Sequence, residues 1–243
     1  MAGARKRGAR FALLALCAFF ALLFAGLGVW QVKRLAWKLD LIARVEARLH
    51  APPVDAPAPA AFSPADEYRR VALEGHYLND RETLVQAVTE LGGGFWVLTP
   101  FETTRGVTIL VNRGFVPPEK RAPEDRAAGR IEGETRLVGL LRLTEPGGGF
   151  LRSNDAANER WFSRDVAAIA QARGLEPVAA VAPYFVDAAA APVPGGLPVG
   201  GLTVVHFSNN HLVYALTWFA LAAMCVGAAV LTWRGRAGRD EAA

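Results

Sequence analysis

Two stretches of about twenty residues each, Phe11 to Trp30 and Leu212 to Trp233, contain no charged side chain. At ~1.5 Å of rise per residue, a helix of that length spans about 30 Å, the thickness of a bilayer's hydrocarbon core. A helix in a soluble core normally keeps one polar face, and neither run has a charged one. The first run follows Arg5, Lys6, Arg7 and Arg10, so it can also be read as a secretory signal. Small residues at Ala21, Ala25 and Gly26 keep that alternative open. Against it, the run exceeds the roughly 7–15 apolar residues of a signal peptide and passes without a polar cleavage region into a long basic segment. A retained anchor is the preferred reading.

The charges give an orientation. The first ten residues carry Arg5, Lys6, Arg7 and Arg10 and no acid; the end carries Arg234, Arg236 and Arg239 against Asp240 and Glu241. The positive-inside bias places both tails in the cytoplasm and the intervening region outside. Lys33, Arg34 and Lys38 weaken the contrast. The tails carry a net charge of +5 and the region between them −1, together the chain's +4. That distribution excludes a nucleic-acid footprint. The chain's two cysteines, Cys17 and Cys225, both fall in the apolar runs, which excludes a disulfide-stapled exported domain. Their plain reading is as small buried apolar residues.

Leu35, Leu39, Ile42, Val45 and Leu49 recur at helical steps among charged residues, so the first helix is expected to continue to about His50. Prolines 52, 53, 57, 59 and 64 then make a semi-rigid spacer. Beyond it, alternation at Val71, Leu73 and Tyr77, and at Val107, Ile109, Val111 and Phe115, predicts strands. Thr83–Thr89, Phe95–Phe101, Leu137–Leu143, Tyr184–Asp187 and Leu202–Phe207 are further strand segments. Ser163 or Asp165 can start a short helix ending before Gly174. The expected architecture is a membrane protein in which two transmembrane α-helices flank an α+β, mainly antiparallel β exported domain. Its boundaries are a cytoplasmic tail at 1–10, a first transmembrane helix at 11–30, an amphipathic extension at 31–50 and a Pro-rich linker at 51–64. A β-rich periplasmic domain at 65–208, a second transmembrane helix at 209–233 and a cytoplasmic tail at 234–243 complete it.

Enzyme signatures are missing from the sequence. There is no HExxH or GxSxG, and the triplets Gly92–Gly94 and Gly147–Gly149 lack the P-loop Lys-Ser/Thr ending. Both triplets read as tight loops. His76 falls on the solvent side of an alternating strand, His50 ends a helix, His206 lies in the last strand segment, and Asp187 and Glu145 read as loop acids. His211 differs because it opens the second apolar helix, and an ionisable residue at membrane depth points to function. At ~100° per residue, His211, Tyr214 and Trp218 share one side of that helix. A neutral imidazole beside aromatic rings can ligate haem iron and shelter its macrocycle. The alternative, preferred on spacing alone, is that His211 caps the helix beside Asn209 and Asn210 while the aromatics sit in an interfacial belt.

The chain also carries an ordered series of short motifs. It begins with Gly28-Val29-Trp30-Gln31, Arg34 and Trp37-Lys38, then Tyr68, Gly75 and Thr99-Pro100. It continues with Val111-Asn112-Arg113-Gly114-Phe115-Val116-Pro117, Glu145-Pro146, Asn154, Asn158, Trp161, Asp187 and Gly195-Gly196. It ends with Asn210-His211-Leu212, Tyr214-Ala215 and Thr217-Trp218. In this order, between two terminal spans, the series resembles the Surfeit locus protein 1 family, with Phe115 where the family more often has Trp. Residues 51–63 and 188–192 carry no match. The resemblance implies a non-enzymatic assembly factor for haem-copper cytochrome c oxidase that transiently carries haem a. It implies His211 as axial ligand to the haem iron, with Tyr214 and Trp218 completing the cofactor-binding set. The implied partners are the oxidase catalytic subunit, haem a synthase and membrane lipid, with no nucleic acid. Asn112 and Arg113 could close a turn, pair a carboxylate or meet an oxidase subunit; a strand-end arginine fixing the domain at the membrane is an equal alternative. Arg34 and Lys38 could pair haem propionates or, more commonly, lipid phosphates. A haem-free scaffold holding an oxidase intermediate is the competing expectation. The short amino-terminal tail favours a bacterial plasma membrane over a mitochondrial setting.

Overall fold

The computed structural model describes residues 2–175, 177, 180–203 and 207–240. It divides into two compact units, one formed by residues 1–44 with 206–243 and one by residues 45–205. His206 and most of the Leu202–Phe207 strand segment lie outside the described residues.

The first unit is a pair of long helices, α1 (Ala2–His50) and α3 (His211–Asp240). Both are long and apolar enough to cross a membrane, and only 6% and 11% of their most apolar windows is buried within the protein. Leu22, Leu216 and Leu231 are 75%, 62% and 72% exposed. A helix of a soluble core would be mostly buried; these surfaces match a lipid solvent. Shielded residues follow a heptad seam. On α1 they run Leu14, Cys17, Ala21, Phe24, Gly28, Gln31, Leu35, Lys38, and on α3 His211, Ala215, Trp218, Ala222, Cys225, Ala229. Phe24 stacks on Trp218, Gln31 meets His211 and Lys38 lies over Phe207. Rising numbers on one helix meet falling numbers on the other, so the pair is antiparallel. Gly28 permits close approach, since a Cβ there would lie 2.6 Å from the Phe219 ring.

The second unit is built on a seven-stranded sheet. Its strands are β1 (Val54–Asp55), β2 (Arg70–Tyr77), β3 (Thr83–Thr89), β4 (Gly92–Thr103), β5 (Thr108–Val116), β6 (Thr135–Leu143) and, after a small hairpin, β9 (Val181–Ala188). The hairpin is β7 (Gly148–Gly149) with β8 (Arg152–Ser153). The sheet order is β1-β2-β6-β9-β5-β4-β3, and an added β2–β4 pairing closes it into a barrel-like ring. Gly75 sits at the closure, paired with Thr103 of β4 on one side and Thr135 of β6 on the other. Its φ is +155°, and a Cβ would meet the Glu102 carbonyl oxygen at 2.0 Å, so only glycine fits. The sheet is mixed where a mainly antiparallel one was expected. β1 runs parallel to β2, and β5 runs parallel to β9. The crossover from β5 to β9 carries β6 and a short helix, α2 (Val166–Ala172), which gives the chain length to return in the same direction.

Two apolar clusters hold this unit. Val71, Leu73, Phe101, Ile109, Val111, Leu141, Tyr184 and Val186 fill the inside of the ring. Leu110 and Phe185, pointing the other way from the same strands, pack with Trp161, Val166 and Ile169 under α2. β5 is therefore buried on both faces, where the alternation predicts one. Asp165 caps α2 by accepting from Ala168 N–H at 3.1 Å. The Pro-rich segment, expected as a spacer, instead lays Val54 and Asp55 beside β2 and buries Ala56. Tyr184 donates its hydroxyl to the Pro57 carbonyl at 2.6 Å. Gly92–Gly94, expected as a tight loop, opens β4 opposite Val88 and Ala87. A Cβ on Gly94 would lie 2.6 Å from the Phe115 ring, so the glycine serves strand packing and the turn lies at Glu90 and Leu91.

Candidate functional site

The start of α3 is organised by Asn209 and Asn210. Asn209 Oδ1 accepts from the His211 backbone N–H at 3.4 Å, and the Asn210 carbonyl accepts from Tyr214 N–H at 3.2 Å. Capping is thus done by asparagine, and the imidazole of His211 is free to turn to α1. There Nδ1 lies 2.7 Å from Oε1 of Gln31, whose side chain belongs to a residue only 9% exposed. With the amide oxygen turned to it, Nδ1 would be the protonated nitrogen and donate. In that tautomer Nε2 presents a lone pair, the form in which imidazole binds a metal.

The three residues read from the sequence share one side of α3, but α1 covers only two of them. His211 and Trp218 lie on the seam, with Ala215 buried between them, and Trp218 stacks on Phe24 with ring centroids 5.6 Å apart. Tyr214 stands beside the seam and is 53% exposed. Toward the carboxyl end of α1, Lys38 lies 5.0 Å over Phe207 and Arg34 lies 4.6 Å over Trp37. In the sequence Gln31 is only part of a motif, and nothing local signals its pairing with a histidine 180 residues away.

The residues present suit a haem by kind. The metal would take a lone imidazole nitrogen, the macrocycle an apolar aromatic surround, and the propionates a cation. Among the described residues no group of three or more His, Cys, Asp or Glu could hold a bare metal ion. A porphyrin supplies its own equatorial nitrogens and needs only axial donors.

In the β unit, Asp187 is 3% exposed and central to a polar network. Its carboxylate accepts from Asn112 Nδ2 at 2.7 Å, Thr203 Oγ1 at 3.0 Å, and the guanidiniums of Arg142 at 3.1 Å and Arg164 at 3.2 Å. Arg164 also binds Glu145. Burial pushes the Glu145 carboxyl up, but the hydrogen bonds and charge of Arg164 outweigh it and hold the carboxyl below its ordinary value. For Arg164, burial is likewise outweighed by Glu145 and Asp187, and its pKa is raised. The network borders a cavity of ≈ 220 Å³ that Trp96 and Glu90 also line. The acids read from the sequence as loop residues are thus the centre of a buried ion network. Asn112 belongs to it through Asp187. Arg113, read as a strand-end residue, is mid-strand and buried, donating to the Gly129 carbonyl at 2.5 Å and to Asn79 Oδ1 at 3.3 Å, and lying 4.8 Å over Tyr77. These are structural roles.

Comparison with known proteins gives one consistent result. The SURF1 family profile matches residues 18–223. Surfeit locus protein 1 of Homo sapiens is 44% identical over 216 residues, covering 82% of this chain and 70% of that protein. The protein of the same name from Takifugu rubripes is 40% identical over 216 residues, covering 82% and 87%. A SURF1-like protein of Drosophila melanogaster is 33% identical over 217 residues, covering 82% and 70%.

Proposed function

This chain belongs to the SURF1 family, and from that membership we propose that it is an assembly factor for haem-copper cytochrome c oxidase. It binds haem a as cargo at His211 and aids its insertion into the catalytic subunit. The observation that carries the haem reading is the Gln31–His211 hydrogen bond, which leaves Nε2 of a membrane-border imidazole as a donor. When bound, the haem iron supplies a Lewis-acid centre that accepts one axial nitrogen.

The chain's own residues account for the rest of the role. His211 holds the cargo by one bond, so retention competes with transfer. Tyr214, half exposed beside the seam, offers its ring to a macrocycle lying in lipid. Trp218, stacked on Phe24, keeps the two helices in register beneath the imidazole. Lys38 and Arg34 supply cations for carboxylates at the exported end. The function requires no chemistry on a substrate, and the reading is non-enzymatic. The proposed partners are the catalytic subunit, the haem a synthase that supplies the cargo, and lipid. The proposed setting is a bacterial plasma membrane with both termini cytoplasmic and the β unit periplasmic. Reporter fusions at residues 5 and 240 should read cytoplasm and one at 130 the exported side; a reversed pattern overturns the orientation.

Co-expression with haem a synthesis, followed by purification of wild type and His211→Ala, tests the cargo reading. Wild type should carry haem a with its absorption bands, and the variant should lose most of it. Full haem and an unchanged spectrum in the variant would overturn the ligand assignment. A wild type that never purifies with haem would favour a haem-free scaffold.

A further inference from the structure

We propose that Gln31 is a positioning residue for His211, setting its tautomer so that Nε2 is the ligating nitrogen. The functional consequence rests on the haem reading above; the tautomer does not. In water the neutral histidine side chain prefers its proton on Nε2, which leaves Nδ1 as the acceptor and blocks the outer nitrogen. Here Nδ1 faces an amide oxygen at 2.7 Å. That oxygen cannot donate, so with the amide in this orientation the pair forms with the proton on Nδ1.

The surroundings make the choice firm. Gln31 is 9% exposed on a seam whose neighbouring layers are Gly28 below and Leu35 above. Little of Gln31 is open to solvent, and the lower dielectric strengthens the bond. The close packing permitted by Gly28 brings α1 near enough for the side chain to reach α3. A histidine ligand whose second nitrogen donates to a protein acceptor is oriented and made more basic, and loss of such a partner costs about 10–100-fold in metal affinity. Gln31 would thus govern how tightly the cargo is held while never touching it.

The direct test needs no haem. The full chain, with ¹⁵N-labelled histidine, is reconstituted in lipid bilayers and examined by solid-state NMR. The His211 signals are identified by their loss in His211→Ala. Wild type should show a protonated Nδ1 and an unprotonated Nε2. Gln31→Leu should move the population to protonated Nε2, while Gln31→Glu, whose carboxylate also accepts at the same reach, should keep Nδ1 protonated. A wild-type His211 protonated on Nε2, or a tautomer indifferent to Gln31→Leu, overturns the proposal.

The second arm measures haem loss to an excess of apomyoglobin. Gln31→Leu should release haem about 10–100-fold faster than wild type, with Gln31→Glu close to wild type. If His211→Ala abolishes haem binding while Gln31→Leu matches wild type in tautomer and release, the positioning role fails and the haem reading stands. If His211→Ala keeps haem while the tautomer follows Gln31, the haem reading fails and the tautomer assignment stands.

Discussion

Asp187 gathers four donors at a position 3% exposed, and two of those donors are arginines that are themselves largely buried. Removing the acid leaves two guanidiniums without their shared counter-charge in a low-dielectric setting. Asp187→Ala should therefore cost about 3–5 kcal/mol, the usual penalty for breaking a buried ion pair from one side. Thermal unfolding of the full chain in detergent will measure it. His76→Ala, at an exposed strand position beside Glu102, should shift the transition little; equal shifts for the two variants would refute the assigned network. The contrast also shows what the sequence can and cannot reveal. His211 could be singled out because an ionisable group beginning an apolar run is locally anomalous. Asp187 could not, because its partners stand 16 to 75 residues away along the chain. Gln31 is the extreme case, an uncharged residue inside a motif whose meaning appears only when the far end of the chain is beside it.

Long helices are legible wherever charge is missing for twenty residues, and strands wherever alternation is clean. Which face meets which neighbour is another matter. The stripe expected on the α1 extension includes Leu39, yet Leu39 is 52% exposed and Lys38 is the shielded residue. A lysine stem is apolar enough to be covered while its ammonium reaches an aromatic ring. Similarly, helical angles placed Tyr214 near His211 without telling which flank α1 would cover. The parallel β5–β9 pairing is invisible locally for the same reason, since strand direction in a sheet is set by long connections. The seam makes its own prediction. Cys17 and Cys225 each lie one heptad from the stacked Phe24–Trp218 layer, on the same side of that layer. An antiparallel heptad register brings them to one level. Membrane-permeant copper–phenanthroline should therefore close an intramolecular disulfide in the wild type, detected as a link between the two end fragments after cleavage within the β unit. Gly28→Leu, which pushes the helices apart against Phe219, should reduce the yield. Equal yields, or none in wild type, would refute the register.

At the scale of the molecule, pH stability follows from opposite shifts of two kinds of group. The carboxyls of Asp66, through its hydrogen bond to Arg69, and Glu145 and Glu159, through Arg164 and Arg173, are held below their ordinary values. Their stabilisation is present above the unfolded-state values and is lost as pH falls through the lowered ones. Burial raises Tyr77 and Tyr184 to about 12. Their contribution is complete below the unfolded value of about 10 and is lost as pH rises towards 12. Tryptophan fluorescence of the full chain should show a plateau between about pH 5 and 10 with losses on both sides; acid loss already beginning well above pH 5 would contradict the assignment. The acceptor Gln31 and the donor His211 stand 180 residues apart, with the whole β unit between them. On a ribosome the first is made early and the second near the end. A chain stopped between β9 and α3 holds every strand of the barrel-like ring, yet it lacks the imidazole. Under the proposed function, cargo loading would therefore wait until translation has reached α3.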